Sequence, residues 1–170
     1  MGGLHTHHDV YPDLTTLGKY LGGGFGFDAC GGREEIMANL NPGRLFHSGT
    51  YNNDTFTMAA GVAASQVLSA EKISKANALG DKLRDGINAV SARAKFPLLK
   101  STGFGSCVSV HFNGTCTAQV KDTLFFYLLG NKIYIGKRGF LSVNLVHEEE
   151  HIDQAVRVFE KFFEDLGPLD

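Results

Sequence analysis

A regular spacing of apolar side chains between residues 71 and 93 is the clearest pattern in the chain. Apolar residues recur there every three or four positions, and charged or polar side chains occupy the positions between them. Such spacing gathers the apolar residues on one helix face, so it predicts an amphipathic helix from Glu71 to Arg93. The predicted apolar stripe consists of Ile73, Ala76, Leu79, Leu83, Ile87 and Val90.

A second helix is predicted from Asp54 to Leu68. It begins after three residues whose side-chain oxygens can cap a helix N-terminus, Asn52, Asn53 and Asp54. The run that follows is rich in alanine and other small apolar residues. Small side chains allow close packing of a helix against its neighbours, so we expect this helix to be buried.

The C-terminal third mixes strand and helix patterns. Residues 106–112 alternate between apolar and polar side chains, which predicts a strand with one buried face. The other predicted elements are helices over 118–129 and 148–166 and strands over 132–135 and 140–146. We expect Gly130 to be the left-handed residue that ends the first of these helices. This mixture predicts a small α/β domain.

The first 32 residues show less regularity. Leu14–Leu21 is interpreted as a strand and turn, and 22–32 contain too many glycines for a regular element to be expected. Residues 1–13 are expected to be irregular. Three histidines at positions 5, 7 and 8 precede Asp9 and could bind a metal. Solvated side chains near a terminus are the preferred interpretation, and no metal site is assigned.

Composition narrows the functional classes. The chain has 170 residues, 43% of them hydrophobic and 20% charged, as in a soluble globular protein. A net charge of −2 gives no electrostatic basis for nucleic-acid binding, and no window is apolar enough to predict a membrane span. The N-terminus lacks signal-peptide features, and three cysteines without CxxC spacing suit reduced thiols. We therefore expect a cytoplasmic protein.

Lys19 is the candidate catalytic residue. It lies at the end of a short run of apolar and polar residues, just before three glycines, in the segment TTLGKYLGGG. A lysine presented beside a glycine turn can offer its amine to a bound carbonyl compound, as Schiff-base chemistry requires. A phosphate-binding P-loop is excluded, because its glycines precede the lysine and Ser or Thr follows it, whereas Tyr20 follows here. Taken alone, the segment would also suit a surface lysine beside a flexible turn.

Several further motifs follow in a fixed order. The segment is preceded by Pro12-Asp13-Leu14 and followed by GGREEIM from Gly31, HSGTYNND from His47 and MAAG from Met58. In this order and spacing, the set resembles the class III aminotransferases, which use pyridoxal phosphate (PLP). The nearest resemblance is to the branch that contains glutamate-1-semialdehyde aminomutase. It is dense from Pro12 to about Leu68 and looser towards the C-terminus.

This resemblance implies a fold and a domain arrangement. The fold would be α/β, the C-terminal part of a fold-type I PLP-dependent transferase. Residues 1–70 would be a remnant of the PLP-binding large domain, 71–94 a linking helix and 95–170 the small C-terminal α/β domain.

The resemblance also implies site residues. Lys19 would hold PLP as a Schiff base and then act as general base. Gly49 and Thr50 would bind the phosphate of the cofactor across a homodimer interface, since this loop comes from the partner subunit in the family. Arg138 is a weaker candidate for contact with a small-molecule amino donor or acceptor. His47 receives no role, and Arg33 is expected to pair with an acidic side chain inside the large domain.

Two positions depart from the family pattern. Asp28 stands where relatives usually carry a small or apolar residue, and a buried carboxylate there would be costly unless paired. His147 stands where a Ser or Thr cap is expected before the last helix, and losing such a cap costs about 1 kcal/mol. Both departures suggest relaxed constraint.

Length bears on activity, because members of the resembled family are more than twice as long. We expect this chain to be an N-terminally truncated portion, with the acid that pairs with the cofactor's ring nitrogen lying upstream of it. Neither Asp9 nor Asp13 has the spacing for that role. The chain alone is therefore expected to be inactive. The alternative function is a non-catalytic fragment that serves at most as a structural or dimerisation piece.

Overall fold

The computed structural model describes residues 3–94, 99–112 and 117–166. These residues belong to two compact units, Met1–Ala70 (unit 1) and Glu71–Asp170 (unit 2). The helices are α1 Leu4–His7, α2 Glu34–Met37, α3 Thr55–Val67, α4 Ala70–Arg93, α5 Thr117–Gly130 and α6 Glu149–Leu166. The strands are β1 Leu14–Leu17, β2 Ala29–Gly32, β3 Leu99–Phe104, β4 Cys107–Phe112 and β5 Phe140–Ser142. The assignment of these parts to a large and a small domain stays a prediction.

Unit 2 is built around one hydrophobic core. The predicted stripe of α4 is confirmed, because Ala76, Leu79, Leu83, Ile87 and Val90 are all buried. Helices α5 and α6 and the inner face of a three-stranded antiparallel sheet, in the order β3-β4-β5, complete this core. Its largest fully buried members from the other elements are Phe159, Phe162, Leu124, Leu128, Val108 and Val110.

A second stripe on α4 carries polar side chains that bond to the backbone of β3 and the turn after it. Asn88 donates to the Ser101 carbonyl at 2.9 Å and accepts from the Ser101 N–H at 2.8 Å. Ser91 donates to the carbonyl of Leu99 at 2.9 Å. The other members of this polar ladder are Asn77, Asp81 and Arg84, which bond to the backbone of Ser106, Gly105 and Gly103. The helix thus supplies hydrogen-bond partners for backbone groups at the edge of β3 that does not pair with another strand.

Helix α4 lies close to the turn between β3 and β4. Gly80 is buried, and a Cβ at this position would overlap the backbone of Gly105 and Ser106. The missing side chain is what allows the helix backbone to approach the turn closely enough for the polar ladder to form.

The strands agree with the sequence only in part. The strand predicted over 106–112 is confirmed as β4, with Val108 and Val110 buried on one face. Strand β3 was not predicted, and the strand predicted over 140–146 is limited to β5. The strand predicted over 132–135 is wrong, because this segment follows α5 without pairing to a neighbour.

The end of α5 differs from the prediction as well. Gly130 is the last helical residue, and the left-handed position falls two residues later at Lys132, with φ 64°. The Ile133 N–H bonds to the Leu128 carbonyl at 2.9 Å, and the Lys132 N–H bonds to the Leu129 carbonyl at 3.0 Å. This pair of bonds is a Schellman motif, which satisfies the last carbonyls of the helix.

The last helix begins without the hydroxyl cap that the sequence led us to expect. The Glu148 N–H donates to Nδ1 of His151 at 2.9 Å, and the Asn144 N–H donates to Nδ1 of His147 at 3.0 Å. His151 thereby takes the place that Glu or Gln holds in a capping box. The predicted core residues of this helix are confirmed, because Ile152, Phe159 and Phe163 are buried and Val156 packs against them.

Unit 1 is organised differently. Strands β1 and β2 form an antiparallel pair, so the prediction of no regular element over 22–32 is wrong at 29–32. The Asp54 side chain accepts from the Thr57 N–H at 2.9 Å and caps α3 as predicted. Arg33 forms an ion pair with Asp13 at 3.1 Å, which confirms its expected pairing with an acid.

Unit 1 buries little apolar surface. All buried hydrophobic side chains among the described residues belong to unit 2, whereas most exposed large hydrophobics belong to unit 1. On α3 only Gly61 is buried, against the ring of Phe27, and Phe56 is 76% exposed. The expectation that α3 is buried is therefore wrong within this chain, because the turn Lys19–Gly22 and Phe27 cover only a small part of it and its large apolar side chains stay exposed.

Removal of the Asn88 amide tests the polar ladder. Asn88→Ala leaves both backbone groups of Ser101, a residue that is only 2% exposed, without these partners. We expect the free energy of unfolding of unit 2 to fall by roughly 2–6 kcal/mol, since each of the two buried groups left unpaired costs about 1–3 kcal/mol. Urea denaturation measures the loss, and the Ser101 amide should exchange with solvent faster. Ser74→Ala, at an exposed position of the same helix, is the control and should change little. A loss below about 0.5 kcal/mol, the level of an ordinary surface substitution, would contradict this role.

The phenol of Tyr127 provides a second test. Burial, together with the hydrogen bond to Asp165 at 2.6 Å, raises the pKa of Tyr127 from 10.0 to about 12. The neutral phenol therefore stabilises the fold fully below pH 10, and this stabilisation is lost as the pH rises towards 12. Absorbance titration of the phenolate should show one tyrosine titrating near pH 12, and Tyr127→Phe should remove that step. Tyr134→Phe, which removes an exposed ring, should leave the step in place.

Candidate functional site

Lys19 lies at the end of the β1–β2 ribbon in unit 1. It directly follows Gly18 and begins a 3-10 turn that ends at Gly22. Its φ is +62°, a left-handed conformation that costs a non-glycine residue roughly 1–2 kcal/mol. Gly23 and Gly24 also have positive φ, at 59° and 107°, and this explains the glycines after the lysine. The chain therefore turns sharply here and leaves the lysine side chain exposed.

A cleft of about 800 Å³ surrounds this lysine. Its lining includes Thr16–Tyr20, from the end of β1 and the turn after it, and Asp28–Cys30, from the start of β2 and the residue before it. The other lining residues are Leu40, His47 and Asn52. Within this group Thr16 and Cys30 are register partners of the two strands. The ribbon thus brings residues that are far apart in sequence around the Lys19 amine.

The predicted phosphate-binding residues lie in the same loop as two lining residues. The Asn52 N–H bonds to the Gly49 carbonyl at 3.0 Å and closes a turn that contains Thr50. Thr50 is exposed, and neither it nor Gly49 lines the cleft, whereas His47 and Asn52 do. The structure therefore brings the loop to the Lys19 cleft without placing the Thr50 hydroxyl in the lining.

Arg138, the weaker substrate candidate, belongs to unit 2. It is exposed and lies in a turn just before Gly139, whose φ is 93°. The Gly139 carbonyl accepts from the Val110 N–H at 2.8 Å, which fixes the turn to β4. Its role towards a substrate stays a prediction.

Sequence reasoning missed several members of the cleft. Tyr20 and Cys30 were given no part in it, and Asp28 was noticed only as an unusual residue. The pairing of β1 with β2 brings them there, because it places Ala29 beside Leu17 and Cys30 beside Thr16. That pairing was not foreseen because glycines dominate the segment.

Other possible sites are not supported. Among the described residues, no group of three or more His, Cys, Asp or Glu side chains could hold a metal ion, and this covers the three N-terminal histidines. In the part of the chain that the structure describes, no helix is long and apolar enough to cross a membrane.

Comparison with known proteins gives a consistent answer. The Aminotransferase class-III family model matches residues 2–163. The chain is 40% identical over 167 residues to an uncharacterized aminotransferase of Schizosaccharomyces pombe, covering 89% of this chain and 37% of that protein. It is 36% identical over 180 residues to the β-phenylalanine transaminase of Variovorax paradoxus, covering 98% and 41%. The match to glutamate-1-semialdehyde 2,1-aminomutase of Methanothrix thermoacetophila is 31% over 174 residues, covering 95% and 40%.

Solved structures agree with these relatives. The β-phenylalanine aminotransferase of Variovorax paradoxus matches with a TM-score of 0.87 at 36% identity, over 96% of this chain and 41% of that one. A transaminase solved with PLP bound matches with a TM-score of 0.88 at 25% identity, over 96% and 41%. The chain thus spans about 40% of the length of the relatives it matches.

Proposed function

The chain belongs to the class III aminotransferases, and we propose that it carries the catalytic lysine of a PLP-dependent aminotransferase or aminomutase. The resemblance stated from the sequence is confirmed, including its link to glutamate-1-semialdehyde aminomutase. The fold class is confirmed as well, since α/β PLP transaminases match the chain over part of their length. The activity, substrates and partners of the whole protein are proposals.

The residues of the cleft fit PLP. Its volume of about 800 Å³ lies within the usual range for a small-molecule site. Lys19 supplies an amine for the aldehyde, and the loop segment Gly49-Thr50, which lies outside this lining, carries a hydroxyl and backbone amides that suit the phosphate of a cofactor in a second subunit. When bound, PLP supplies an electron sink for removal of a proton from the carbon that bears the substrate amine.

Lys19 has two roles in this proposal. Its Nζ would hold the cofactor covalently through the aldehyde, and as a free amine the same Nζ would accept the proton from the substrate carbon. The observation that carries the proposal is the position of Lys19, at the end of the ribbon, in a turn followed by glycines, and open to the cleft. A substrate in the cleft can therefore reach this amine.

Thr50 and Gly49 would hold the phosphate of the cofactor. The exposure of Thr50 outside its own cleft is consistent with a hydroxyl that serves the site of a second subunit, so we propose a homodimer. Arg138 is proposed to contact a small-molecule amino donor or acceptor. The reaction would transfer an amino group either between two molecules or within one molecule.

A second candidate function is a non-catalytic piece of such an enzyme, active at most in structure or dimerisation. The exposed apolar surface of unit 1 favours it, because a site without a core beneath it does not hold its groups in fixed positions. Lys19 itself is also exposed, so the described residues do not exclude water from its amine.

Covalent labelling tests the role of Lys19. The 170-residue chain and a chimera, in which the upstream portion of the Variovorax paradoxus relative precedes it, are incubated with PLP and reduced with borohydride. Peptide mapping should find the pyridoxyl group on Lys19 of the chimera. We expect the isolated chain to show no amino transfer above that of free PLP.

Two variants sharpen this test. Lys19→Arg keeps the charge but cannot form a Schiff base, so the chimera should lose the label, while Lys75→Arg should keep it. Labelling spread over other lysines would refute the assignment of Lys19. Turnover by the isolated chain that Lys19→Arg abolishes would refute the expected inactivity.

The hydroxyl of Thr50 is tested by Thr50→Val in the chimera. This change keeps the shape of the side chain and removes its hydrogen bond to a charged group, a bond worth roughly 1.5–3 kcal/mol. The Kd for PLP, measured by absorbance titration, should rise about ten-fold or more. Thr123→Val makes the same change on α5 and should leave the Kd unaltered. If both variants bind PLP like the parent, the Gly49-Thr50 segment is only a turn.

A further inference from the structure

Asp28 places a carboxylate in the cleft that the proposed reaction does not use. The β1–β2 pairing ends at Leu17 and Ala29, and both Gly18, which follows Leu17, and Asp28, which precedes Ala29, lie just beyond this last pair. A Cβ at Gly18 would overlap the Asp28 carboxylate, so the glycine leaves the space that this carboxylate occupies. The carboxylate therefore lies against the residue that immediately precedes Lys19.

The Asp28 carboxylate has no structural task among the residues that the structure describes. Other carboxylates of unit 1 have structural tasks, since Asp13 pairs with Arg33 and Asp54 caps α3. Asp28 forms no hydrogen bond or ion pair with any residue that the structure describes, and its side chain is exposed in the cleft. A ligand can therefore reach it without breaking an existing interaction.

The charge balance of the cleft depends on these two residues. Among the eleven lining residues, Lys19 is the one lysine or arginine and Asp28 the one carboxylate. In the proposed function the Lys19 amine is engaged with the cofactor. The carboxylate of Asp28 then remains as the charged group of this chain that faces a ligand in the cleft.

We propose that Asp28 determines specificity, by selecting amines that carry a second cationic group, such as aliphatic diamines. This inference rests on the proposed function and names the substrate class of the same cleft. The reacting amine would approach Lys19 while the second ammonium donates to the carboxylate, a charge-assisted hydrogen bond. An amine that carries a carboxylate in place of the second ammonium is repelled.

Binding of two matched amines tests the proposal. The full chain and the chimera, both carrying Lys19→Gln so that no ammonium at position 19 competes for Asp28, are titrated with diaminobutane and with butylamine, which has the same carbon chain and lacks the second ammonium. We expect diaminobutane to bind roughly two- to five-fold more tightly, the usual size of an ion pair with an exposed carboxylate. Shifts of amide resonances in an NMR titration report the Kd and show whether the affected residues line the cleft.

Three variants identify the group responsible. Asp28→Asn should abolish the preference for diaminobutane, and Asp28→Glu, which keeps the charge, should retain it. Glu34→Gln removes a charge from unit 1 outside the cleft and should also retain it. Equal binding of the two amines by the parent, or a preference that survives in Asp28→Asn, overturns the proposal. Because the readout needs neither PLP nor turnover, its failure is distinguishable from failure of the Lys19 labelling.

Discussion

The backbone groups along the outer edge of β3 need hydrogen-bond partners, and the fold of unit 2 depends on helix α4 supplying them. The bidentate contact between Asn88 and Ser101 fixes where the helix lies along the strand. The apolar stripe of the same helix, with Leu83 and Ile87, then faces the core at a defined angle. One helix therefore sets both the closed edge of the sheet and the packing beneath it.

Unit 1 carries the candidate chemistry without an equivalent support. Its β1–β2 ribbon ends next to Lys19 and Asp28, and the apolar side chains of the unit remain largely exposed. A two-stranded ribbon is marginally stable by itself in water. How firmly the cleft residues are held therefore depends on burial of the apolar face of α3. In unit 2, by contrast, the elements of the unit itself bury its core.

Much of the fold could be predicted because helices carry their signal locally. The spacing of α4 and the cap at Asp54 were read correctly, and so was Lys19 as the residue at a glycine turn. Strand β3 was missed because its residues, including Lys100 and Gly103, do not alternate regularly between apolar and polar types. The hydrogen bonds along its outer edge come from side chains of α4, which the local sequence of the strand does not reveal. The strand predicted around Tyr134 failed because β propensity cannot supply a pairing partner. Asp28 and Cys30 line the cleft because β2 pairs with β1, and this pairing could not be predicted from a glycine-rich segment.

Helix α4 both packs in the core and bonds to the backbone of β3, and this limits which substitutions it can accept. Its positions alternate between apolar residues that fill the core and polar residues that bond to a strand, and Gly80 admits no side chain at all. Neutral substitution is thus confined to the exposed positions of the helix, which include Ser74 and Ala89. Two lineages that diverge elsewhere should keep the interleaved order of residue types along this helix, which makes it a better marker of common descent than the apolar content of unit 2.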